Sequence, residues 1–492
     1  MSGFAVSLSR LSGELLPLLA LVAAIAFARA DRALAGEPLP RNDTGARVQE
    51  FLDTFGTADT AKIRAFIVRT YTAGYQAAVP IEGRIQLFLD ARARGALEEA
   101  EVLANEGDML RVRARHASTR EWRTIELTTE AGAHARINRI AVSFDWPRTV
   151  EEYRSKATPS TELAVSRYVD ALAKRRLFSG AVRLERGGKA IVDGAWGYAD
   201  LDTKAENRPT TKFNLGSASK MWTAAAIMRL IKDGRLSPNS RLSEFKLGVP
   251  LPANAADITI AHLLSHTSGL GNYFGAKYDA VDKAFLDDID DFLPLAVPLE
   301  SAFKPGSDYK YSNTGFLVLG KIVEIASGKS YFDYVANVVF HPAGMKESGC
   351  FAVTEGVASG YDRTQTDAGP VFESNVRFLP RRSVSAGGCY STTGDMLRFF
   401  DLLNGGTLAS AEAVAAFTSK QTPSGGEPYG YGFQLGANGE WYGHGGYFNG
   451  VGAVVRAYRR PDGWRFAVLA NERDVAENVG QFLDAAIASA QR

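Results

Sequence analysis

The sequence predicts an α+β protein with two folded domains, and three observations carry that reading. Helical spacing of apolar residues from Val48 to Phe88 gives way after Gly95 to short β segments separated by turns. Far downstream, β-hairpins stand at both ends of the stretch from Ser160 to Arg492, with helical, loop-rich sequence between them. The 492 residues exceed one ordinary domain of about 100–200 residues. Hydrophobic residues at 46% and charged residues at 23% supply a packed core and exclude wholesale disorder. The balance of 56 basic against 55 acidic residues, 56 − 55 = +1, argues against a nucleic-acid binder. Two cysteines are too few for a disulfide scaffold or a four-cysteine zinc site.

The first element is an apolar run, Leu15–Phe27, of 13 residues, shorter than the roughly 20 that a membrane-crossing helix needs. Arg10 precedes it, and Ala33 and Ala35 suit a signal-peptidase site before Gly36. Residues 1–35 therefore read as a signal peptide, which implies a periplasmic or secreted protein with no stable membrane span once it is removed. The competing reading is an uncleaved anchor. Residues 36–45, rich in Pro, Gly and polar side chains, read as a linker.

A small α+β domain is expected over 46–147. Val48, Phe51, Leu52 and Phe55, then Ile63, Phe66, Ile67 and Phe88, mark its helical faces. Met109–Ala117, Glu121–Thr129 and Ala135–Phe144 are its expected strands. Helices followed by a strand meander resemble, weakly, a cystatin-like or nuclear-transport-factor-like domain. Residues 148–159 read as a second linker. The domain over 160–492 opens with a helix and the hairpin Ser179–Arg186/Lys189–Tyr198. It closes with the hairpin Val451–Tyr458/Trp464–Asn471 and a helix from Val475. One antiparallel sheet assembled from distant parts of the chain follows from that layout.

Inside this domain, Asn214 to Gly234 reads as a turn followed by one helix that Gly234 ends. Ser217 sits at its N-terminus and Lys220 one turn on, on the same face. Serine is a weak nucleophile until a neighbouring base takes its proton, and a desolvated lysine is such a base. Ser-x-x-Lys alone is common, and by itself describes an N-cap beside a solvated lysine. Two further motifs follow it in order, Tyr311-Ser-Asn313 and His444-Gly-Gly446.

Together the three motifs resemble those of the serine β-lactamase and penicillin-binding superfamily, in particular class C β-lactamases, D-Ala-D-Ala carboxypeptidases and related esterases. Ala261–Leu270, Gly344-Met-Lys346 and Gly387–Thr392 add to the likeness, which covers the C-terminal domain and not residues 36–150. The resemblance implies a β-lactamase/transpeptidase-like fold: an antiparallel sheet flanked by helices, plus a helical subdomain. It implies a serine hydrolase in which Ser217 is acylated while Lys220 and Tyr311 share the proton traffic, with the order between them open. Tyr311 as a phenolate is favoured by a neighbouring positive charge. Asn313 would donate to Lys220 or to a substrate amide. The oxyanion would meet the backbone N–H groups of Ser217 and Tyr447, with Gly446 letting the edge strand approach.

The third motif reads His-Gly-Gly where these β-lactamases carry Lys-Thr-Gly, so a largely neutral imidazole at His444 replaces a fixed positive charge. That departure weighs against efficient β-lactam hydrolysis, whereas hydrolase chemistry survives on peptide, ester or, weakly, β-lactam-like carbonyl substrates. Substrates implied are small molecules or peptides; no cofactor, metal or nucleic acid is called for, and the oligomeric state is open. The alternative is a non-catalytic ligand-binding or sensor protein on the same scaffold. His262 and His266 stand four apart without a zinc hydrolase's glutamate and read as structural. Cys350 and Cys389 are candidates for a disulfide in an exported chain, against a reading as two small buried hydrophobes. Tyr429 and Asn272-Tyr-Phe274 read as pocket walls or as ordinary packing.

Overall fold

A computed structural model describes residues 39–131, 135–154, 160–351 and 356–490. The expected signal peptide lies outside the described residues, as do residues 155–159 of the expected second linker. The chain divides into two compact units, Met1–Pro159 with Thr364–Val371, and Ser160–Arg363 with Phe372–Arg492.

In the first unit, helices α1 (Asp43–Phe55), α2 (Thr60–Thr70) and α3 (Ile81–Arg92) precede four strands. These are β1 (Leu97–Glu106), β2 (Met109–His116), β3 (Trp122–Thr129) and β4 (Ile137–Phe144), an antiparallel meander in sequence order. Every apolar residue assigned to a helical face is buried: Val48, Phe51, Leu52, Phe55, Ile63, Phe66, Ile67 and Phe88 pack against Leu110, Val112, Ile125 and Leu127. Strand β1 is an addition to the expected three. Its sequence is acidic and mostly exposed, and its register with β2 shifts twice. An edge strand of that kind lacks the alternation by which strands are read. The linker expected over 148–159 begins instead as a helix, α4 (Trp146–Tyr153), because Asp145 caps it by accepting from Arg148 N–H and Pro147 suits its first turn.

The second unit is built on a six-stranded sheet. Helix α5 (Thr161–Lys174) leads into the hairpin β5 (Gly180–Arg186) and β6 (Lys189–Trp196). Much later come β7 (Gln434–Leu435), β8 (Trp441–Phe448), β9 (Val451–Tyr458) and β10 (Arg465–Ala470), then the closing helix α6 (Val475–Ser489). The order is β7-β8-β9-β10-β5-β6, and the two ends of the domain join where β10 pairs antiparallel with β5, Ala470 opposite Gly180. Alternation along the strands divides the side chains. Ala181, Ala453, Val455, Ala467 and Leu469 join the large core of the helical region. On the terminal-helix side Val454 packs against Gly480, and the Tyr168 and Phe482 rings stack at 4.1 Å.

Cys350 and Cys389 are bonded across 39 positions. The bond fixes a segment that also pairs with the turn before Ser217: Leu215 N–H donates to Cys389 O at 2.8 Å, and Tyr390 lies opposite Asn214. Closing a loop of that length stabilises by about 2–4 kcal/mol, chiefly through the unfolded chain. The double substitution C350S/C389S is expected to lower unfolding stability by that amount in urea melts. Alkylation of the denatured, unreduced protein should modify neither sulfur, and two modified thiols would contradict the bond.

Candidate active site

The site is built around the turn Asn214–Ser219. Asn214 Oδ1 accepts from Gly216 N–H at 2.9 Å, Gly216 takes a left-handed φ of 49°, and Gly216–Ser219 form one 3-10 turn. An α-helix, Lys220–Lys232, continues from it, and Gly234 follows at φ 71°. Ser217 is thereby held at the helix entrance, half-exposed, while Lys220 points into the core with no exposed surface.

Lys220 Nζ lies 3.1 Å from Ser217 Oγ and 2.7 Å from Asn313 Oδ1, and it donates to the Ala386 carbonyl. No carboxylate contacts it among the described residues. Burial holds its amine well below the ordinary lysine range, because desolvation penalises the ammonium.

The Tyr-Ser-Asn motif divides its labour. Ser312 accepts from Gly315 N–H at 2.8 Å and so caps the helix Asn313–Ser327; it also donates to Gly271 O at 2.8 Å. That cap sets Tyr311 and Asn313 on either side of it, facing Lys220. Asn313 accepts from Lys220 and does not donate to it, the first of the two contacts expected of it, and its Nδ2 donates to Asn272 Oδ1 at 3.3 Å. The Tyr311 ring centre is 4.9 Å from Lys220 Nζ. Its hydroxyl is shielded and makes no hydrogen bond of acceptable geometry. Burial raises this phenol, and the nearby Ser217 hydroxyl offsets that only in part. Burial thus works against the phenolate that a neighbouring positive charge favours.

Strand β8 brings the third motif. A Cβ on Gly446 would fall 1.8 Å from Leu215 O and 3.0 Å from Ala218 N, so only glycine lets the strand lie on the Ser217 turn. The same contact sets Tyr447 N beside that turn, 2.9 Å from where a Cβ on Gly216 would be. Short β7 pairs only with Gly443 and Tyr442, leaving the rest of β8 without a strand partner on that side. His444 is buried behind the strand. Its Nε2 is 2.8 Å from Tyr429 Oη, and its Nδ1 contacts Gly445 O. Both ring nitrogens are thus engaged within the protein, and His444 does not line the cleft, contrary to the substrate contact expected of it. Burial and the neighbouring Lys220 lower its pKa to about 3, so the ring is neutral.

A cleft of about 560 Å³, its open mouth included, adjoins Ser217, Asn313 and Tyr447. Two contributors carried no local signal of their contact with Lys220 or Asn313. The Ala386 carbonyl is backbone, and Asn272 is placed by a loop. His266, buried with its ring 4.2 Å from Tyr311, accepts from Ser312 N–H at 3.1 Å. Tyr429 reaches the site only through His444. His262 accepts from Thr259 N–H at 3.3 Å in a helix cap, so the two histidines serve separate structural ends.

A model of the family described as Beta-lactamase matches residues 165–489. Penicillin-binding protein 4* of Bacillus subtilis is 36% identical over 182 residues, which are 36% of this chain and 39% of that protein. The match thus spans less than half of that relative's length. The putative penicillin-binding protein PbpX of the same organism is 26% identical over 331 residues, 66% of this chain and 79% of the relative. Among solved structures, a penicillin-binding protein from Bacillus halodurans superposes with a TM-score of 0.58 at 30% identity. That superposition covers 66% of this chain and 99% of the other. Residues 1–164 lie outside the family match.

Proposed function

The chain belongs to the beta-lactamase family, and from that membership we propose that it is a serine hydrolase working through an acyl-enzyme on Ser217. The observation that carries the reading is the contact of one buried amine, Lys220 Nζ, with Ser217 Oγ. A neutral amine has two N–H bonds and one lone pair. Lys220 Nζ donates to Asn313 Oδ1, to Ala386 O and to Ser217 Oγ, the last at 3.1 Å; once deprotonated it keeps two N–H bonds for the first two and turns its lone pair to the Ser217 hydroxyl. Lys220 is therefore the base that takes the serine proton as Ser217 Oγ bonds to the substrate carbonyl carbon. The oxyanion is received by the N–H groups of Ser217 and Tyr447.

Tyr311, a protonated phenol, gives its proton to the leaving group as the carbonyl–heteroatom bond breaks, and regains one from the Lys220 ammonium. Water then enters the acyl-enzyme by the same route reversed. Burial shifts Lys220 toward the amine and Tyr311 toward the phenol, the directions this sequence uses and a plain binding protein has no need of.

Substrates of this reaction are esters and amides of peptide or small-molecule type. With His444 neutral and turned inward, recognition of a β-lactam carboxylate lacks its usual cation, so nitrocefin should be turned over far more slowly than a chromogenic ester. We further read the protein as exported to the periplasm or beyond, with residues 1–35 removed. The bonded Cys350 and Cys389 accord with an oxidising compartment. Among the described residues no helix is long and apolar enough to cross a membrane. N-terminal sequencing of the exported protein should begin at or near Gly36.

The test is covalent. A fluorophosphonate probe should add to Ser217 in the wild type and to no residue in Ser217→Ala, whose ester turnover should fall by at least about 10⁴-fold. Absence of any adduct on the wild type, with no ester turned over, would favour the binding-protein alternative.

A further inference from the structure

We propose that the cleft beside Ser217 receives an uncharged aromatic group, so that the chain hydrolyses neutral aryl or aralkyl esters and amides in preference to substrates bearing a free carboxylate there. This rests on the acyl-enzyme reading above and names its substrate class.

The first observation is charge. Among the described residues that line the cleft there is no Asp, Glu, Lys, Arg or His. The cations next to lining residues in sequence are turned elsewhere. Lys277, beside Tyr278, donates to Val297 O. Arg381 and Arg382, between the lining residues Pro380 and Ser383, face Asp287 at 3.7 and 3.6 Å. The Arg382 guanidinium also lies 4.0 Å over the Phe351 ring. Lys220 is occupied beneath Ser217, and His444 is sealed behind β8 by Tyr429 and the Gly445 carbonyl. A carboxylate entering this cleft would lose its water without gaining a cation.

The second observation is the wall. Tyr273, Phe274, Tyr278, Phe292, Tyr447 and Phe448 line the cleft. Tyr273 meets Phe292 edge-on at 5.7 Å, and Phe274 meets Tyr278 edge-on at 4.9 Å, so the rings brace one another. Phe274 stands near-parallel to Phe448, with ring centres 6.0 Å apart and planes at 29°. Phe274 is nevertheless 38% exposed. A braced but partly uncovered aromatic surface beside a nucleophile offers a substrate ring both apolar burial and edge-to-face contact.

The experiment uses three p-nitrophenyl esters: acetate, phenylacetate and 4-carboxyphenylacetate. The wild type should show kcat/KM for phenylacetate about ten-fold or more above both others, after correction for intrinsic reactivity. Phe274→Leu and Phe448→Leu should each lower the phenylacetate-to-acetate ratio by about five-fold, chiefly through KM. Equal or better turnover of the carboxylated ester overturns the proposal, as does a ratio that neither variant moves. If Ser217 takes up fluorophosphonate while the carboxylated ester is preferred, only this inference falls. If Ser217 takes up none and no ester is hydrolysed, the hydrolase reading falls with it.

Discussion

Lys220→Ala is expected to lower kcat by about 10³–10⁴-fold, at the upper end of what a single proton-transfer group contributes. The size follows from the absence of a substitute. Among the described residues lining the cleft none is a carboxylate or imidazole, and the nearest imidazoles, His266 and His444, are buried and engaged by Ser312 N–H and by Tyr429 with Gly445 O.

The pH dependence gives the sign. Lys220 acts as the neutral amine, so log kcat/KM of the wild type should rise with pH through the amine's pKa and then level off. Burial places that pKa well below 10.5, and the variant should lose the rising limb. Folding stability moves in the same direction. Above its depressed folded-state pKa the native amine is deprotonated, whereas the unfolded lysine remains protonated up to about 10.5. Folding then releases a proton, and stability increases with pH across that window. A variant that kept the rising limb, or activity within ten-fold of wild type, would remove Lys220 from the role proposed for it.

Gly446→Ala is the second large effect, and it acts through shape alone. The added Cβ would meet Leu215 O at 1.8 Å and Ala218 N at 3.0 Å, both backbone atoms that no rotamer change can clear. Either β8 lifts away or the Ser217 turn shifts, and in both cases the Tyr447 amide leaves its place beside Ser217. Losing one oxyanion donor costs about 10²–10³-fold in kcat. We expect a fall of that size with KM little changed, slower fluorophosphonate labelling of Ser217, and a lower unfolding temperature. Steady-state kinetics beside a thermal melt checks it. Unaltered kcat in a folded Gly446→Ala protein would exclude close approach of β8 as the reason for the glycine.

Much of the site is legible in the sequence because its chemistry is written in short range. Ser217 and Lys220 lie one helical turn apart, and Tyr311-Ser-Asn313 begins with its own cap. The glycines of His444-Gly-Gly446 announce a close backbone approach. The hairpins of the C-terminal domain were legible for a related reason: alternation and a glycine or Pro-Asp-Gly turn are local signals. Strand β1 and helix α4 were not, since an acidic, irregular edge strand and an Asp-capped helix in a charged segment lack apolar periodicity.

Protonation states and directions could not be read along the chain. Tyr311 as a phenolate, Asn313 as a donor to Lys220 or to a substrate amide, and His444 as a substrate contact are what the family resemblance implies, and motifs carry nothing of the segments that surround these side chains. Distant segments set their surroundings: the Ala386 carbonyl brought in by the pairing of 390–391 with 213–214, Asn272 behind Asn313, and Tyr429 over His444. The sequence by itself determined which functional groups exist and which of them share a turn or a strand, since covalent spacing sets that much. Only the tertiary structure decided which of those groups are dry, which lone pair is left over, and which walls carry no charge, because desolvation and the last free valence depend on every neighbour at once.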